Sequence, residues 1–167
     1  MSKAKVKSHA ISPPYLAAAF VCERVLVEND KVPSYMRVVD RLTLPRPVEG
    51  IPRGAVVVLN VTLVISFRAD AFKGKLPLRI ERIGPSGEKV TFIEHDLEFA
   101  GPLPESGNTL GIHMHMQWDG EGLYCLDVFL GGLLRSRIPL KIELAKESPT
   151  EAMQGKVPKK PTRKVKI

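Results

Sequence analysis

NTLGIHMHMQWDGEGLYCLDVFLGGLLRSRIPLKIEL, residues 108–144, contains three segments in which apolar and polar side chains alternate. Asp119-Gly120 and Gly131-Gly132 separate these segments. Alternation with a period of two indicates β-strands with one buried face. A glycine-containing pair of this kind favours a tight turn between antiparallel strands. The stretch therefore predicts three consecutive antiparallel strands.

The same alternation recurs towards the N-terminus and predicts most of the remaining chain as strands. The further predicted strands are residues 15–27, 34–44, 55–68, 75–83 and 88–99. No segment has the spacing of an amphipathic helix, and without crossover helices a parallel sheet is not expected. The sequence therefore predicts an all-β fold, an antiparallel two-sheet β-sandwich of about eight strands. A closed barrel is the alternative, since it also removes exposed strand edges.

Two of the predicted strands contain features that indicate their place in a sheet. Residues 55–68, AVVVLNVTLVISFR, are apolar on both faces, which is typical of a central strand covered on both sides. The last strand, residues 133–144, contains Pro139, which cannot donate to a ladder. Proline favours an edge strand or a bulge. We therefore expect this strand to lie at an edge or to be bulged at Pro139. At an edge, a strand from a partner protein could add to it.

Acid-base dipeptides in the first two predicted strands give an expectation about their register. These dipeptides are Glu23-Arg24 and Asp40-Arg41. If Arg24 lies opposite Asp40 in a hairpin, then Glu23 lies opposite Arg41 and two cross-strand ion pairs form. Each pair would contribute only about 0.2–1 kcal/mol at an exposed position. This register requires a longer loop than the polar residues 28–31 provide.

Composition and charge divide the chain into a folded body and two basic ends. Residues 1–13 contain three lysines and no acid, and residues 146–167 contain seven bases and two acids, so the formal net charge of +7 lies at the ends. A hydrophobic fraction of 44% is enough for one β-sandwich domain, which we place at residues 14–145. We expect the two ends to be disordered. Domains that bind nucleic acid have their positive charge on the folded surface, so the body is not predicted to bind it.

The C-terminal end, residues 146–167, is a candidate for weak contact with polyanions. A basic segment binds phosphates through the release of counterions. The alternative is a solubilising extension without a dedicated partner. The candidate contact residues are Lys156, Lys159, Lys160, Arg163, Lys164 and Lys166.

The sequence contains no recognisable export or membrane segment. No run of roughly eighteen apolar residues occurs, and the basic N-terminus is not followed by an apolar core and a cleavage site. We therefore expect a cytoplasmic protein with no membrane partner. Its cysteines, Cys22 and Cys125, form no C-x-x-C pair. In the cytoplasm they are expected to be buried thiols.

His113-x-His115 is the strongest candidate for a metal site. Residues i and i+2 of a strand share a face, so both imidazoles can reach one ion. Metal-binding proteins of the cupin type have a glycine, five residues, His-x-His and then a carboxylate. Four residues approach that pattern: Gly107, His113, His115 and Glu121. Glu121 is one residue too far along and follows a predicted turn, and no histidine occurs downstream. A pair of solvent-facing histidines is therefore the favoured interpretation.

Residues 18–42, AAFVCERVLVENDKVPSYMRVVDRL, together with residues 122–142, GLYCLDVFLGGLLRSRIPLKI, resemble an uncharacterised bacterial β-sandwich family, a domain of unknown function. The likeness lies in the two acid-Arg dipeptides, the Gly-x-Tyr strand and the closing strand with Arg and Pro. It covers about residues 15–144. The resemblance implies the sandwich fold and brings no established activity.

Three functions are compatible with these observations. No nucleophile elbow, phosphate loop or dinucleotide motif occurs, so we predict no catalytic residue and no cofactor. The favoured function is a non-enzymatic binding or scaffolding module whose partner is another protein. The alternative is a metal-dependent or hydrolytic enzyme that uses His113 and His115. The third is association with nucleic acid through the C-terminal tail.

Overall fold

The structure is a computed structural model that describes residues 14–46, 50–101 and 107–146. Within these ranges it contains nine strands and no helix. A helix that could cross a membrane is therefore also absent from these residues. The predicted all-β fold is therefore confirmed, with one strand more than expected. The strands are β1 Tyr15–Val27, β2 Pro33–Val39, β3 Arg41–Leu44, β4 Val56–Arg68, β5 Lys73–Ile83, β6 Lys89–Ala100, β7 Gly107–Gln117, β8 Gly122–Leu130 and β9 Leu133–Leu144.

The nine strands form two separate sheets that pack face to face. One sheet has the order β2-β1-β4-β7 and the other has the order β3-β9-β8-β5-β6. Seven strand pairs form among the described residues, and six of them are antiparallel. The exception is β3, which runs parallel to β9. The two-sheet sandwich is confirmed. The barrel alternative is wrong, because no described strand pair joins the two sheets into one closed sheet.

The core lies between the sheets and is built from alternate residues of each strand. In β4, Leu63, Ile65 and Phe67 are fully buried in this core. Each such side chain contributes about 1.5–3 kcal/mol to stability by leaving water. Thr62 and Val64 point to the opposite face, because successive side chains alternate, and they are also buried. The prediction of a strand covered on both sides is therefore confirmed for the middle of β4.

The predicted strand 34–44 is wrong because the chain changes sheet at Asp40. Strand β2 ends before this residue and pairs with β1, whereas β3 begins after it and pairs with β9. The register of the β1–β2 hairpin places Arg24 opposite Met36. The expected ion pairs of Arg24 with Asp40 and of Glu23 with Arg41 do not form, because that register requires a turn four residues longer than residues 28–32 provide.

The expectation that residues 133–144 form an edge strand is also wrong. Strand β9 lies between β8 and β3, so the four edges are β2 and β7 in one sheet and β3 and β6 in the other. Pro139 lies opposite Cys125 of β8, whereas β3 flanks only residues 141–144. The proline therefore lies in a part of β9 that has a paired neighbour on one side only, which is where its missing N–H is tolerated.

Of the two tight turns predicted in residues 108–144, the one at Asp119-Gly120 is wrong, because the chain changes sheet there: β7 pairs with β4 and β8 pairs with β5 and β9. The turn between β8 and β9 agrees with the sequence pattern. Leu130 pairs with Leu133, so Gly131 and Gly132 form a two-residue loop. Their φ angles are 62° and 79°. A type I′ turn needs positive φ at both positions, which glycine adopts without steric cost.

The division of the chain into residues 1–13, 14–145 and 146–167 stays a prediction. Residues 1–13 and 147–167 lie outside the described residues. The expected disorder of the two ends is therefore also a prediction.

Candidate functional site

The first sheet is interrupted beside the predicted histidines. Strand β1 pairs with β4 from Tyr15 to Cys22, and the last pair joins Cys22 to Thr62. In β4 the three residues Leu59–Val61 then lie opposite a single residue of β7, because Val58 pairs with His115 and Thr62 with His113. Extra residues of this kind form a bulge that bends the strand. The β1–β4 pairing ends at Thr62, at one end of this bulge, so the second half of β1 does not pair with β4.

The separated strands border an opening that we call the β1–β4 slot, defined by Glu23–Val27 of β1 and Val58–Thr62 of β4. A cavity of about 850 Å³ lies against these two segments on the outer side of the sheet. A second cavity of about 530 Å³ lies towards the other sheet. Glu23 and Val58–Val61 line both cavities. The slot therefore opens to both faces of the sheet.

The two sides of the slot differ in chemistry. The polar residues that line the outer cavity are Glu23, Arg24, Asn60, Thr62, His113 and His115. Apolar residues from both sheets dominate the inner cavity, namely Leu42, Leu44, Ile51, Val57 and Leu59. Apolar side chains of β1 also line the outer cavity, and Thr43, Arg46 and Asn60 also line the inner one. Both sides are therefore mixed, and the outer side has the larger share of polar groups.

Of the two neighbouring charged residues of β1 at the slot, one forms an ion pair and the other does not. Glu23 forms an ion pair with Arg37 of β2 at 3.0 Å, so its negative charge is offset. Arg24 belongs to no ion pair in the part of the chain that the structure describes. The outer side of the slot therefore presents an uncompensated cation.

The two cysteines differ in environment. Cys22 is fully buried at the last β1–β4 pair, whereas Cys125 is only half-buried. Burial raises the pKa of the Cys22 thiol. Its S–H donates to the Arg24 carbonyl at 3.5 Å, a contact that only the protonated form makes. A raised pKa keeps the group as a thiol, which is a poor nucleophile. The expectation of a buried thiol is confirmed for Cys22 and holds only in part for Cys125.

The structure brings His113 and His115 together on the outer face of β7, both exposed and both beside the slot. It does not bring Glu121 to them. That residue lies in the loop after β7, where its Oε1 accepts a hydrogen bond from the N–H of Leu144 at 2.5 Å. Within residues 14–46, 50–101 and 107–146, no three His, Cys, Asp or Glu side chains are grouped to hold a metal ion. The metal site at His113, His115 and Glu121 stays a prediction.

The candidate polyanion contacts lie outside the described residues and also stay a prediction. These residues are Lys156, Lys159, Lys160, Arg163, Lys164 and Lys166.

Sequence reasoning missed the slot itself. One signal was available in β4, where Asn60 interrupts an otherwise apolar run and lies at the bulge. Asparagine is disfavoured within a strand, so its presence there is consistent with an irregular position. The signal does not identify the neighbouring strand, and the role of Arg24 could not be inferred without the register of β1.

Comparisons with known proteins give no family assignment. No protein-family model matches the chain, and no curated protein matches it, as expected for an uncharacterised family. Among solved structures, the chain is similar to the alkylpurine DNA glycosylase AlkC of Pseudomonas fluorescens bound to DNA with an abasic-site analogue, at 11% identity and a TM-score of 0.46. That match covers 80% of this chain and 31% of the glycosylase chain.

A second similar structure is an immunoglobulin-like protein from Pseudomonas aeruginosa, at 11% identity and a TM-score of 0.39. The match covers 81% of this chain and 100% of that chain.

Proposed function

We propose that this protein is a non-enzymatic binding module that accepts an extended segment of another protein in the β1–β4 slot. The observation that supports it is the end of the β1–β4 ladder at Cys22 and Thr62. Beyond that pair, Glu23–Val27 pairs only with β2 and Val56–Val58 pairs only with β7, among the described residues. Two strand edges thus border one opening.

Unpaired strand edges favour a peptide ligand over a small molecule. Each edge presents backbone N–H and C=O groups that need hydrogen-bond partners. A peptide that adds to an exposed edge gains affinity from main-chain hydrogen bonds, and pockets for alternate side chains give specificity. In the slot, one peptide can pair with an edge on each side. The outer cavity of about 850 Å³ is within the usual size range of ligand sites.

The chemistry of the slot specifies the side chains of the proposed partner segment. Successive side chains of an extended strand point to opposite faces of a sheet. One set therefore enters the inner cavity, which Leu42, Leu44 and Ile51 line. The other set enters the outer cavity, where Arg24 presents its uncompensated charge. A segment that alternates apolar and acidic residues fits both sides.

A peptide selection tests this proposal with the full-length protein. Nine-residue peptides are selected from a displayed library, and fluorescein-labelled copies are titrated by fluorescence anisotropy. We expect the selected peptides to alternate apolar and acidic residues. We also expect bound peptide to slow hydrogen exchange of the amides in residues 23–27 and 58–61. Absence of any selected peptide, or protection confined to the β2 edge, would contradict the proposal.

A matched pair of variants on β4 localises the binding. Val56 and Val58 lie two residues apart on the same strand face and are 67% and 59% exposed, but only Val58 lines the slot. We expect Val58→Glu to weaken peptide binding more than tenfold, because it places a negative charge against an acidic, apolar ligand. Val56→Glu should change the affinity by less than twofold. Equal effects of the two variants would show that the peptide binds elsewhere.

We further propose that the module acts in the bacterial cytoplasm. Two free cysteines support a reducing compartment, since disulfides are rare there. The resemblance to a bacterial β-sandwich family supports the source.

A further inference from the structure

Side chains that donate hydrogen bonds share the outer face of the first sheet beside the β1–β4 slot. Leu63 of β4 belongs to the core, so alternation places its neighbour Thr62 on the outer face. His113 lies opposite Thr62 in the β4–β7 ladder and shares that face. Cys22 lies opposite Thr62 on the other side, so Arg24, two residues further along β1, is on the outer face as well. Thr62, His113 and Arg24 all line the outer cavity of the slot.

These donor side chains are not engaged by the rest of the fold. Among the described residues, the side chains of Arg24, Thr62 and His113 form no hydrogen bond and no ion pair. The same is true of Asn60 and His115, which also line the outer cavity. Thr62 is the most informative of the five, because it is only 5% exposed and its hydroxyl still has no partner there. Buried polar groups are normally hydrogen-bonded, so a ligand oxygen at this position would satisfy an open donor.

The charges around the outer cavity favour an anionic ligand. Glu23 is the only acid among the described residues that line the cavity, and its carboxylate lies 3.0 Å from the guanidinium of Arg37. Arg24 lies opposite Met36 in the β1–β2 hairpin, so its cross-strand neighbour provides no opposite charge. An anion that enters the cavity therefore meets a guanidinium without an ion pair.

We propose that the outer cavity binds the phosphoryl group of a phosphorylated serine or threonine in the partner segment, an inference that rests on the peptide-binding function of the slot. At neutral pH this group has a charge of about −1.5 to −2 and three acceptor oxygens. The planar fork of Arg24 pairs with two of the oxygens. Thr62, Asn60 and His113 donate to the lone pairs that remain. A carboxylate has only two oxygens, so it satisfies fewer of these donors.

A phosphorylated peptide fits this site better than a nucleic acid. Two strand edges border the cavity, and their N–H and C=O groups can pair with a peptide backbone, which a sugar-phosphate chain does not provide. Single-stranded nucleic acids are bound largely by stacking of their bases on aromatic side chains. No Phe, Tyr or Trp is among the described residues that line the outer cavity. The phosphoryl group is therefore assigned to a peptide.

Three nine-residue peptides test the proposal with the full-length protein. Each peptide alternates threonine with valine and has threonine at both ends, and only the fifth residue differs: phosphoserine, glutamate or serine. Fluorescein-labelled copies are titrated by fluorescence anisotropy at one pH and one ionic strength. We expect the phosphoserine peptide to bind at least tenfold more tightly than the glutamate peptide, and the serine peptide to bind most weakly.

The outcomes distinguish this inference from the function on which it rests. Equal affinities of the phosphoserine and glutamate peptides, with slowed hydrogen exchange in residues 23–27, would refute the phosphoryl assignment and leave the slot as a peptide site. If none of the three peptides binds, the slot proposal fails and this inference fails with it. Tighter binding of an eight-residue oligothymidylate than of the phosphoserine peptide would also overturn the inference. So would displacement of that peptide by an equal concentration of inorganic phosphate, which would indicate a general anion site.

Variants on the outer face of the sheet locate the phosphoryl group. Arg24→Gln should weaken binding of the phosphoserine peptide more than tenfold and change that of the serine peptide by less than twofold. Arg68→Gln is the matched control, because Arg68 is an exposed arginine at the far end of β4 and does not line the cavity. It should change both affinities by less than twofold. Thr62→Val retains the branched shape and should weaken only the phosphoserine peptide, by several-fold. Unchanged binding of the phosphoserine peptide to Arg24→Gln would refute the assignment.

Discussion

The Tyr124 hydroxyl provides a stringent test of the structure, because this one oxygen atom makes two hydrogen bonds to the backbone of the loop between β7 and β8. The Tyr124 ring is fully buried, and its hydroxyl donates to the carbonyl of Gly120 at 2.8 Å and accepts from the N–H of Asp119 at 2.9 Å. Burial raises the pKa of Tyr124, so the group stays protonated and able to donate at neutral pH. Tyr124→Phe deletes this oxygen and leaves the packing of the ring intact.

The expected cost of Tyr124→Phe follows from the two hydrogen bonds. A typical intramolecular hydrogen bond contributes about 0.5–1.5 kcal/mol, and an unpaired buried group costs more. Asp119 and Gly120 are only half-buried, so water can reach both backbone groups in the variant. We therefore expect a loss of about 1–2 kcal/mol in the free energy of unfolding. At ~2–4 °C per kcal/mol for a chain of this size, Tm falls by about 2–8 °C.

Urea unfolding followed by the fluorescence of the single tryptophan measures this loss. Trp118 is the first residue of this loop and is 6% exposed, so its emission reports on unfolding of this region. Tyr15→Phe is the matched control, because it removes the same atom from a side chain that is 54% exposed. Its free energy of unfolding should change by less than ~0.5 kcal/mol. Equal effects of the two variants would refute the assignment of the hydroxyl to this loop.

Two further predictions concern titration and thiol reactivity. Hydrogen bonds from Ser86 lower the pKa of Asp119, so its contribution to stability is present above the ordinary Asp range of about pH 4 and is lost as the pH falls through the lowered pKa. Between pH 5 and pH 3, the Tm of Asp119→Asn should therefore fall less than the Tm of the wild type. The exposed Asp96→Asn is the control, and identical pH profiles of Asp119→Asn and the wild type would contradict this prediction. Burial raises the pKa of the Cys22 thiol, so iodoacetamide at pH 7 should label Cys125 in the native protein and Cys22 only after unfolding. Mass spectrometry measures the labelling of each cysteine, and equal labelling rates of Cys22 and Cys125 in the native protein would contradict this prediction.

The fold was largely predictable because burial in a sandwich imposes a period of two on the sequence. In β7, buried Met114 and Met116 alternate with exposed His113 and His115, as the pattern predicts. The sheet change at Asp40 was not predictable, since a chain that moves from one sheet to another can keep its alternation. The place of β9 was also missed, because Pro139 reports on one missing donor and not on the position of the whole strand.

The candidate sites were less predictable than the fold, because they depend on contacts between distant segments. The shared face of His113 and His115 follows from local geometry alone. The β1–β4 slot depends on where pairing between Cys22 and Thr62 ends, which a single strand's sequence does not encode.

The way the slot is held favours binding without a large rearrangement. The second half of β1 is fixed in an extended conformation by β2, up to the pair of Val27 with Pro33. The opposite edge is fixed by β7, through the pairs of Val56 with Gln117 and Val58 with His115. Both edges are therefore ordered before any ligand arrives, and the ordering entropy of binding falls mainly on the incoming segment. Because the pairs that hold the edges lie on the far sides of β1 and β4, an inserted strand would not have to break them.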